Sequence, residues 1–379
     1  MRHRMIKLGL VALVVAMVAA ACSSDDGGDG ASGGDGGDSE DLVAVSLQLQ
    51  WFPQSQFAGY YAALDQGYYA EEGLDVTILP GGVDIVPQQV VATGGAEFGL
   101  AWVPKALESN EQGTGLVNIA QVFQRSGTLQ VSFKETGILT VDDFRGKRIG
   151  TWGFGNEHEV IAAVRQAGMD PATDIIQVQQ GFDMLQLLPP EAGGTAEVDA
   201  AEAMTYNEYA QVLETIDPET GELYQATDLN IIDYNDVGSA MLQDAVWVSA
   251  DWLADNTDVA EKFLRASFRG WMFCRDSFDD CVDIVLNAGT ELGKSHMEWQ
   301  LNEINALIWP SPEGVGIMDQ ALWDQTVDVA TSQEILAERP SDDSFRRDIA
   351  RNALAGIEGD TTGANFSKQT DIVPQEGGK

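Results

Sequence analysis

Apolar and polar positions alternate in short blocks from residue 42 onward. Val43, Val45, Leu47 and Leu49 are separated by single residues and predict a first strand. Further strands are predicted at 74–79, 97–101, 116–123, 147–151, 174–179, 199–203, 229–233 and 245–249, and helices at 57–69, 84–93, 157–167 and almost continuously from the last strand to about 355. This alternation predicts an α/β fold with parallel-rich sheets.

The number of strand–helix units is too large for one small sheet, so two lobes are predicted. The segments 125–130 and 230–240 are the expected crossovers between the lobes. The second lobe, 128–235, is therefore an insertion in a first lobe that is made of 42–127 and 236–357. Ligand sites in such folds lie at the carboxyl ends of strands and in crevices between domains, so we expect a ligand cleft between the lobes.

Aromatic side chains follow many of the predicted strands, often beside an amide or an acid. This combination suits a flat polar heterocycle, because the rings stack on its faces and the polar groups bind its edge. One such aromatic residue alone is more often part of a core, but the recurrence at strand ends favours a site. The candidates from this pattern are Trp51, Gln54, Gln56, Trp102, Gln124, Trp152, Tyr206 and Asn207.

The glycine-rich segment 152–156 opens a predicted helix. Backbone N–H groups at such a start can hold an anion. Asn156 and Glu159, however, have the spacing of a capping box, and Glu157 adds a second acid. We favour the plain helix start over a bound phosphate.

Two acidic residues also follow predicted strands. Glu208 stands at a helix start and is either a solvated first-turn acid or an acceptor for a ring N–H or an exocyclic amine. Asp183, after the strand at 174–179, is a weaker candidate of the same type.

The N-terminus has the pattern of an export signal. Arg2, Arg4 and Lys7 precede an apolar run of 14 residues that is too short to span a membrane. The run ends in Ala-Ala-Ala-Cys22, which is similar to a bacterial lipobox, so residues 1–22 are predicted to be a lipoprotein signal with Cys22 lipidated. An ordinary signal peptide is the alternative. Residues 23–41, rich in Gly, Asp and Ser, predict a flexible linker.

The formal net charge of the chain is −39. Seven acidic residues lie in 23–41 and three basic residues in the first 22, so the remainder carries 53 acidic and 18 basic side chains. A surface of this sign repels phosphate backbones, and nucleic acid is therefore excluded as a partner. At 44% hydrophobic residues the body can still bury a large core.

Cys274 and Cys281 lie in the run GWMFCRDSFDDCVDIV. Export places them in an oxidising compartment, where a disulfide is more probable than a metal site. On one straight helix their separation is about 10 Å of rise, which is too far to bridge. A disulfide therefore predicts a corner between two helices near 276–279, and two buried thiols are the alternative.

Catalytic and metal-binding motifs are scarce. The histidines, His3, His158 and His296, have no metal-ligand spacing, and the chain contains neither a G-x-S-x-G elbow nor a Walker loop. We therefore predict no metal, no cofactor and no enzymatic activity.

Residues 47–76, LQLQWFPQSQFAGYYAALDQGYYAEEGLDV, resemble the periplasmic substrate-binding proteins of ABC importers. The similarity is greatest to the branch that holds sulfonate binders, thiamine-pyrimidine precursor binders and the yeast pyrimidine synthase. It continues at 90–102, 137–169 and 263–276 and covers most of 43–330. The resemblance implies a two-lobed periplasmic-binding-protein type II fold that closes on one small molecule and delivers it to a permease and an ATPase.

The resemblance also assigns residues. It implies that Trp51, Gln56 and Tyr60 line the pocket on the first lobe, opposite the segments 152–156 and 206–208. The yeast synthase has a lysine at the position of Ala101 and a histidine at that of Lys105. Alanine cannot form the Schiff base of that enzyme, so the synthase activity is disfavoured.

The sequence thus predicts an extracytoplasmic, lipid-anchored binding protein of an ABC importer, monomeric, with the tail 358–379 of unassigned packing. The first candidate ligand is a thiamine pyrimidine precursor, hydroxymethylpyrimidine or formylaminopyrimidine. Riboflavin is the second, and sulfonates or nitrate rank lower because Arg125 is the only base near a strand end. A receptor that presents its ligand to a sensor is the competing class.

Overall fold

The computed structural model describes residues 42–290 and 293–378. The predicted signal and linker, with Cys22, lie outside these residues. The strands of the described part are β1 (Val43–Gln48), β2 (Leu74–Leu79), β3 (Phe98–Ala101), β4 (Leu116–Gln121), β5 (Thr128–Phe133), β6 (Arg148–Thr151), β7 (Ile176–Gln179), β8 (Ala201–Met204), β9 (Leu229–Asp233) and β10 (Ala245–Ser249).

The helices of the described part cluster toward the carboxyl end of the chain. They are α1 (Ala58–Asp65), α2 (Tyr68–Glu71), α3 (Pro87–Ala92), α4 (Val103–Glu111), α5 (His158–Gln166), α6 (Glu208–Leu213), α7 (Tyr234–Val237), α8 (Ala250–Asp255), α9 (Thr257–Asp276), α10 (Phe278–Asn287), α11 (Lys294–Ile308), α12 (Gln320–Ser332) and α13 (Arg347–Leu354). None of the helices in the described ranges is long and apolar enough to cross a membrane.

Two predicted helices are shorter than the sequence pattern indicates. The helix expected at 57–69 divides into α1 and α2 at Gly67, whose φ of 74° is left-handed. The helix expected at 84–93 begins only at Pro87, because proline fixes φ at the first helical position.

The strands form a five-stranded sheet, order β2-β1-β3-β10-β4, a three-stranded sheet, order β8-β5-β9, and the pair β6-β7. β1 is parallel to β2 and β3, and β6 is parallel to β7, as the strand–helix alternation predicts. β5 and β10 are antiparallel to all of their neighbours. β5 is the first strand after the chain leaves the five-stranded sheet, and β10 is the first strand after the chain returns to it. Each of the two therefore begins at the edge of its sheet where the neighbouring strands end.

The core beside the five-stranded sheet is held by the crossing of α1 and α9. The rings of Phe98 and Phe263 stack there with centroids 3.8 Å apart. Two glycines allow the helices to approach: a Cβ at Gly270 would lie 1.9 Å from the carbonyl oxygen of Gly59, and a Cβ at Gly59 would lie 2.2 Å from the indole of Trp271. This crossing fixes α1 and the short 3₁₀ turn Ser55–Phe57 before it.

A corner joins α9 to α10 at Ser277. A disulfide links Cys274 and Cys281 across it, with Cα atoms 5.0 Å apart. The turn between the two helices is what brings the cysteines together, because they would be too far apart on one continuous helix.

The segment 358–378 packs against the helical part of the chain. Gln369 exchanges two hydrogen bonds with the side chain of Asn302, both 2.9 Å, and Lys368 pairs with Glu303. Farther along, the backbone N–H of Gly293 donates to the carbonyl oxygen of Gly378 at 2.8 Å. The tail is therefore part of the folded body up to residue 378.

Candidate ligand-binding site

A cavity of about 330 Å³ lies where six strands end. The segments that follow β1, β2 and β3 form one side, and those that follow β6, β7 and β8 form the other. This is the place at which α/β folds bind their ligands. The lining residues are Gln50, Trp51, Gln54, Gln56, Gly82, Val83, Ile85, Val86, Pro87, Gln88, Ala101, Trp102, Lys105, Glu108, Ser109, Gln112, Trp152, Phe154, Asn156, Phe182, Met204, Tyr206, Asn207 and Glu208.

The structure brings most of the sequence-predicted candidates together around this cavity. The ones that line it are Trp51, Gln54, Gln56, Trp102, Trp152, Asn156, Tyr206, Asn207 and Glu208.

The three other candidates lie away from the cavity lining. Tyr60 is buried in the core, where its ring packs 5.6 Å from that of Trp271, because α1 turns this position toward α9. Gln124 uses its amide to bind the backbone carbonyl of Gln121 at 2.6 Å. Asp183 is exposed and accepts the N–H of Leu185 at 3.0 Å, so it forms a local turn.

Asp244 is the polar centre of one wall, and the sequence pattern does not single it out. Its carboxylate accepts hydrogen bonds from Gln50 at 2.6 Å, Gln56 at 2.9 Å and the indole N–H of Trp102 at 2.8 Å. Burial raises the pKa of Asp244 to about 6, although these three donors lower it. The carboxylate thereby fixes the orientation of three side chains that line the cavity.

The direction of β10 explains why Asp244 is missed. Site residues are expected at the carboxyl ends of strands, whereas Asp244 lies directly before the amino end of β10. Because β10 is antiparallel to β3 and β4, its amino end lies at the edge where they end. A polar residue directly before an apolar strand run that follows a crossover is the signal that would identify it.

Three aromatic rings form a group that joins the two sides of the cavity, with Trp51 on the first side and Trp152 and Phe182 on the second. The ring of Phe182 lies 4.5 Å from that of Trp51, at an interplanar angle of 52°. It lies 6.4 Å from that of Trp152 and nearly parallel to it, at 14°. Phe182 follows β7 in the run GFDM. The sequence pattern predicts its neighbour Asp183 as the site residue, but Phe182 is the residue that lines the cavity.

The glycine-rich segment starts α5 without the predicted capping box. Glu159 turns away and accepts hydrogen bonds from Ser126 at 2.8 Å and from the N–H of Met241 at 2.7 Å, so the Asn156–Glu159 capping interpretation is wrong. Glu157 instead accepts the N–H of Gly155 at 2.9 Å. Buried contacts across the fold outweigh the local cap at this position.

Glu208 is buried, so its interpretation as a solvated first-turn acid is wrong. Its carboxylate accepts the N–H of Met204 at 3.0 Å and the side-chain amide of Asn207 at 2.8 Å. Burial raises the pKa of Glu208, and these donors oppose the shift.

Two polar contacts join α4 to the segment around Asn156. Lys105 donates from Nζ to Oδ1 of Asn156 at 3.1 Å, and Nε2 of His158 lies 2.8 Å from Oε2 of Glu108. Burial lowers the pKa of Lys105, and Glu157 and Glu108 oppose that shift. Lys105 is the single basic side chain among the described residues that line the cavity.

No cluster of three or more potential metal ligands occurs in the described ranges 42–290 and 293–378.

A family model described as NMT1/THI5 like matches residues 54–279. The match includes both sides of the cavity apart from Gln50 and Trp51, which precede it.

Among the similar sequences is the riboflavin-binding protein RibY of Chloroflexus aurantiacus, with 25% identity over 305 residues, which cover 78% of this chain and 82% of that one. A formylaminopyrimidine-binding protein of Halalkalibacterium halodurans is 22% identical, and the match covers 65% of this chain and 71% of that one. A 4-amino-5-hydroxymethyl-2-methylpyrimidine phosphate synthase of Aspergillus parasiticus is 21% identical, and the match covers 67% of this chain and 74% of that one.

Solved structures with a similar fold include the periplasmic aliphatic sulphonate binding protein SsuA of Escherichia coli. The TM-score is 0.56 at 14% identity, and the match covers 88% of this chain and 96% of that one. The two-lobed periplasmic-binding-protein fold expected from the sequence is confirmed by this likeness.

Proposed function

Because the chain belongs to the NMT1/THI5-like family, we propose that it is the substrate-binding component of an ABC importer and that its cavity binds a planar nitrogen heterocycle. The proposal takes the lobes to be 42–127 with 236–357 on one side and 128–235 on the other. A ligand that contacts both sides of the cavity stabilises the closed arrangement of the two lobes.

The spacing of Trp152 and Phe182 is the observation that carries the ligand class. Aromatic carbons in contact are separated by about 3.5 Å, so a ring held between two parallel rings needs about twice that distance. The two centroids are 6.4 Å apart and the planes differ by 14°, so the two rings must move apart by about 0.6 Å or more to hold a ligand ring between them. The indole N–H of Trp152 is buried and has no hydrogen-bond partner in the described part of the chain.

Amide and carboxyl groups surround the aromatic pair and supply the edge contacts. Gln56 and Gln54 are bonded to each other at 2.7 Å, and Gln56 is fixed by Asp244. Asn207 and Glu208 offer the corresponding groups from the other side. Donors and acceptors that are already oriented favour a heterocycle with several ring nitrogens over an aliphatic ligand.

The size of the cavity favours riboflavin over a single pyrimidine ring. A volume of about 330 Å³ falls in the range of pockets that enclose drug-sized ligands. Six aromatic side chains line it, which is more than one six-membered ring can contact: Trp51, Trp102, Trp152, Phe154, Phe182 and Tyr206. A thiamine pyrimidine precursor, the first candidate from the sequence, becomes the second candidate here and is supported by the similarity to a formylaminopyrimidine-binding protein.

The similarity to synthases does not extend to the residue that would carry their chemistry. Ala101, at the position of the synthase lysine, lines the cavity with a methyl group and offers no amine. Lys105 does line the cavity, but its Nζ donates to Asn156. We therefore propose binding without catalysis.

The proposed location is the outer face of the cell membrane, with Cys22 lipidated and the permease and ATPase as partners of a monomeric binding protein. Metabolic labelling with a palmitate analogue tests the anchor: label is expected on the natural chain and absent from Cys22→Ser. Label on both proteins would contradict the lipobox assignment.

A thermal-shift panel on purified, ligand-free protein tests the function. It contains riboflavin, hydroxymethylpyrimidine, formylaminopyrimidine, thiamine, taurine and nitrate. A ligand at 100 times its Kd adds about 2.7 kcal/mol to the unfolding free energy, which is a shift of a few degrees. Riboflavin is expected to give the largest shift. A response to taurine or nitrate alone would contradict the heterocycle proposal.

A further inference from the structure

The segment from Trp152 to Asn156 has the geometry with which many proteins hold a phosphate. It follows β6, opens α5 and contains two glycines with left-handed φ, 72° at Gly153 and 83° at Gly155. Three of its residues, Trp152, Phe154 and Asn156, line the cavity. Free backbone N–H groups at such a place would attract an anionic group of a ligand.

Carboxylates of the chain itself already occupy two N–H groups of this segment. The N–H of Trp152 donates to Glu202 at 2.9 Å, and the N–H of Gly155 donates to Glu157 at 2.9 Å. The N–H of Asn156 donates to the carbonyl oxygen of Gly153 at 3.1 Å. An incoming phosphate or sulfonate would have to displace these acceptors, of which Glu157 carries a negative charge like its own.

Glu202 is held firmly in its place. Its backbone N–H and carbonyl each bind the side chain of Gln180 at 2.8 Å, and its side chain is fully buried in β8. Glu157 is half-buried at the start of α5, so it can be replaced without opening a core.

The remaining charges around the cavity give an anion no compensation. Lys105, the single basic side chain of the described lining, donates to Asn156 and lies in the field of Glu157 and Glu108. Asp244 and Glu208 are buried on the two sides. A ligand that carries a phosphate or sulfonate would therefore lose its hydration without gaining donors in exchange.

We propose that the site selects uncharged heterocycles and rejects their phosphorylated or sulfonated counterparts, with Glu157 as the residue that sets this discrimination. Glu157 accepts the Gly155 N–H at the start of α5, so this N–H is not available to an anion. Its negative charge also offsets the positive charge of Lys105. The inference rests on the proposed function and narrows it: of two ligands with the same ring, the protein captures the one without the phosphate.

Calorimetric titration of riboflavin against riboflavin 5′-phosphate, and of hydroxymethylpyrimidine against its phosphate, tests the selection at one ionic strength. In whichever pair binds, the Kd of the phosphorylated ligand is expected to be at least about 100-fold higher than the Kd of its uncharged counterpart. The reason is that like charges juxtaposed in a site are strongly unfavourable. Binding of the phosphate within about threefold of the uncharged form would overturn the inference while leaving the proposed function intact.

Glu157→Ala tests the residue, because it frees the Gly155 N–H and removes a negative charge from the surroundings of Lys105. Glu191→Ala is the matched control: Glu191 is an exposed acid in the first turn of the 3₁₀ helix Pro190–Ala192, outside the cavity lining. The ratio of the two dissociation constants is expected to fall about tenfold or more in Glu157→Ala and to stay unchanged in Glu191→Ala. An unchanged ratio in both variants would overturn the role of Glu157.

A second readout does not depend on the identity of the ligand. Inorganic phosphate is titrated against the natural protein and Glu157→Ala, with chloride at the same ionic strength as the reference. Phosphate is expected to raise the melting temperature of Glu157→Ala alone. Equal responses of the two proteins would overturn the inference, whereas failure of riboflavin and of both pyrimidines to bind would contradict only the proposed function.

Discussion

His296 lies with Nε2 2.9 Å from Oδ1 of Asn207, a residue that lines the cavity. On the opposite side of the ring, Nδ1 is 3.0 Å from both carboxylate oxygens of Glu214. The imidazole and the carboxylate are fully buried. Because Asn207 accepts from His296 through its oxygen, its amide nitrogen is the atom that points to Glu208, 2.8 Å away. His296 on α11 thus orients two side chains of the cavity on α6 and just before it.

Replacing His296 should therefore weaken ligand binding as well as folding. His296→Leu leaves the Glu214 carboxylate buried without a partner, which typically costs about 3–5 kcal/mol of unfolding free energy. The double variant His296→Leu/Glu214→Leu is expected to regain most of that stability, because an apolar pair of similar size replaces the ion pair. It should still bind ligand more weakly than the natural protein, since Asn207 has lost its shorter donor and keeps only Gln300, at 3.4 Å. Calorimetry of binding and denaturant unfolding of the same samples separate the two effects. Restored affinity in the double variant would contradict the positioning role.

Two phenylalanines next to Trp51 provide a matched test of the aromatic site. The ring of Phe182 lies 4.5 Å from that of Trp51 and lines the cavity, whereas the ring of Phe52 lies 5.2 Å from it and is half exposed outside the lining. Phe182→Leu is expected to raise the Kd for riboflavin about tenfold, because stacking adds about 0.5–1.5 kcal/mol beyond burial of area. Phe52→Leu should leave the Kd unchanged. Equal effects of both substitutions would remove Phe182 from the site.

Glu159 predicts a pH dependence of stability. Burial raises the pKa of Glu159 to about 8 in the folded protein, against donors from Met241 and Ser126 that lower it. A raised pKa means that the folded state holds a proton which the unfolded state has released. Protonated Glu159 therefore contributes fully to the stability of the fold below the ordinary carboxyl pKa. This contribution is lost as the pH rises toward 8. Glu159→Gln, whose Oε1 can still accept the Met241 N–H and whose Nε2 can donate to Oγ of Ser126, is expected to flatten the decline of the melting temperature between pH 5 and pH 8. An unchanged slope would show that Glu159 titrates normally.

Because α1 and α9 cross closely, one added methyl group at the crossing is expected to destabilise the fold. In Gly270→Ala the new Cβ would lie 1.9 Å from the carbonyl oxygen of Gly59, so the helices must separate. We expect a loss of about 3 kcal/mol or more of unfolding free energy. Gly181→Ala is the control, because the nearest atoms to its Cβ are 3.8 Å away and its φ is not left-handed. Its unfolding free energy should change by about 0.5 kcal/mol or less. Denaturant melts of both variants give the comparison.

The strands and the aromatic wall of the cavity could be predicted because their signals are local. Trp51, Trp102 and Trp152 each follow an apolar run directly, and the parallel arrangement of such runs brings their carboxyl ends together. The fold class follows from the same alternation and is confirmed by the solved structures with a similar fold.

The rest depends on contacts between distant parts of the chain. Asp244 can bind side chains that line the cavity because β10 runs against its neighbours, and no local pattern states the direction of a strand. Tyr60 and Glu159 have the spacing of site and cap residues, but α9 and Met241 contact them in the fold. His296 is separated by 89 residues from Asn207, so its role is visible only once the helices are packed.

The disulfide at the α9–α10 corner also bears on how the chain matures. Three cysteines allow three different pairings, and two of them would join Cys22 to the corner. The lipid proposed on Cys22 would remove that thiol from exchange, so that Cys274 and Cys281 could oxidise only with each other. The order of events then matters: if acylation precedes oxidation, the protein needs an oxidant but no isomerase to reach the native pairing.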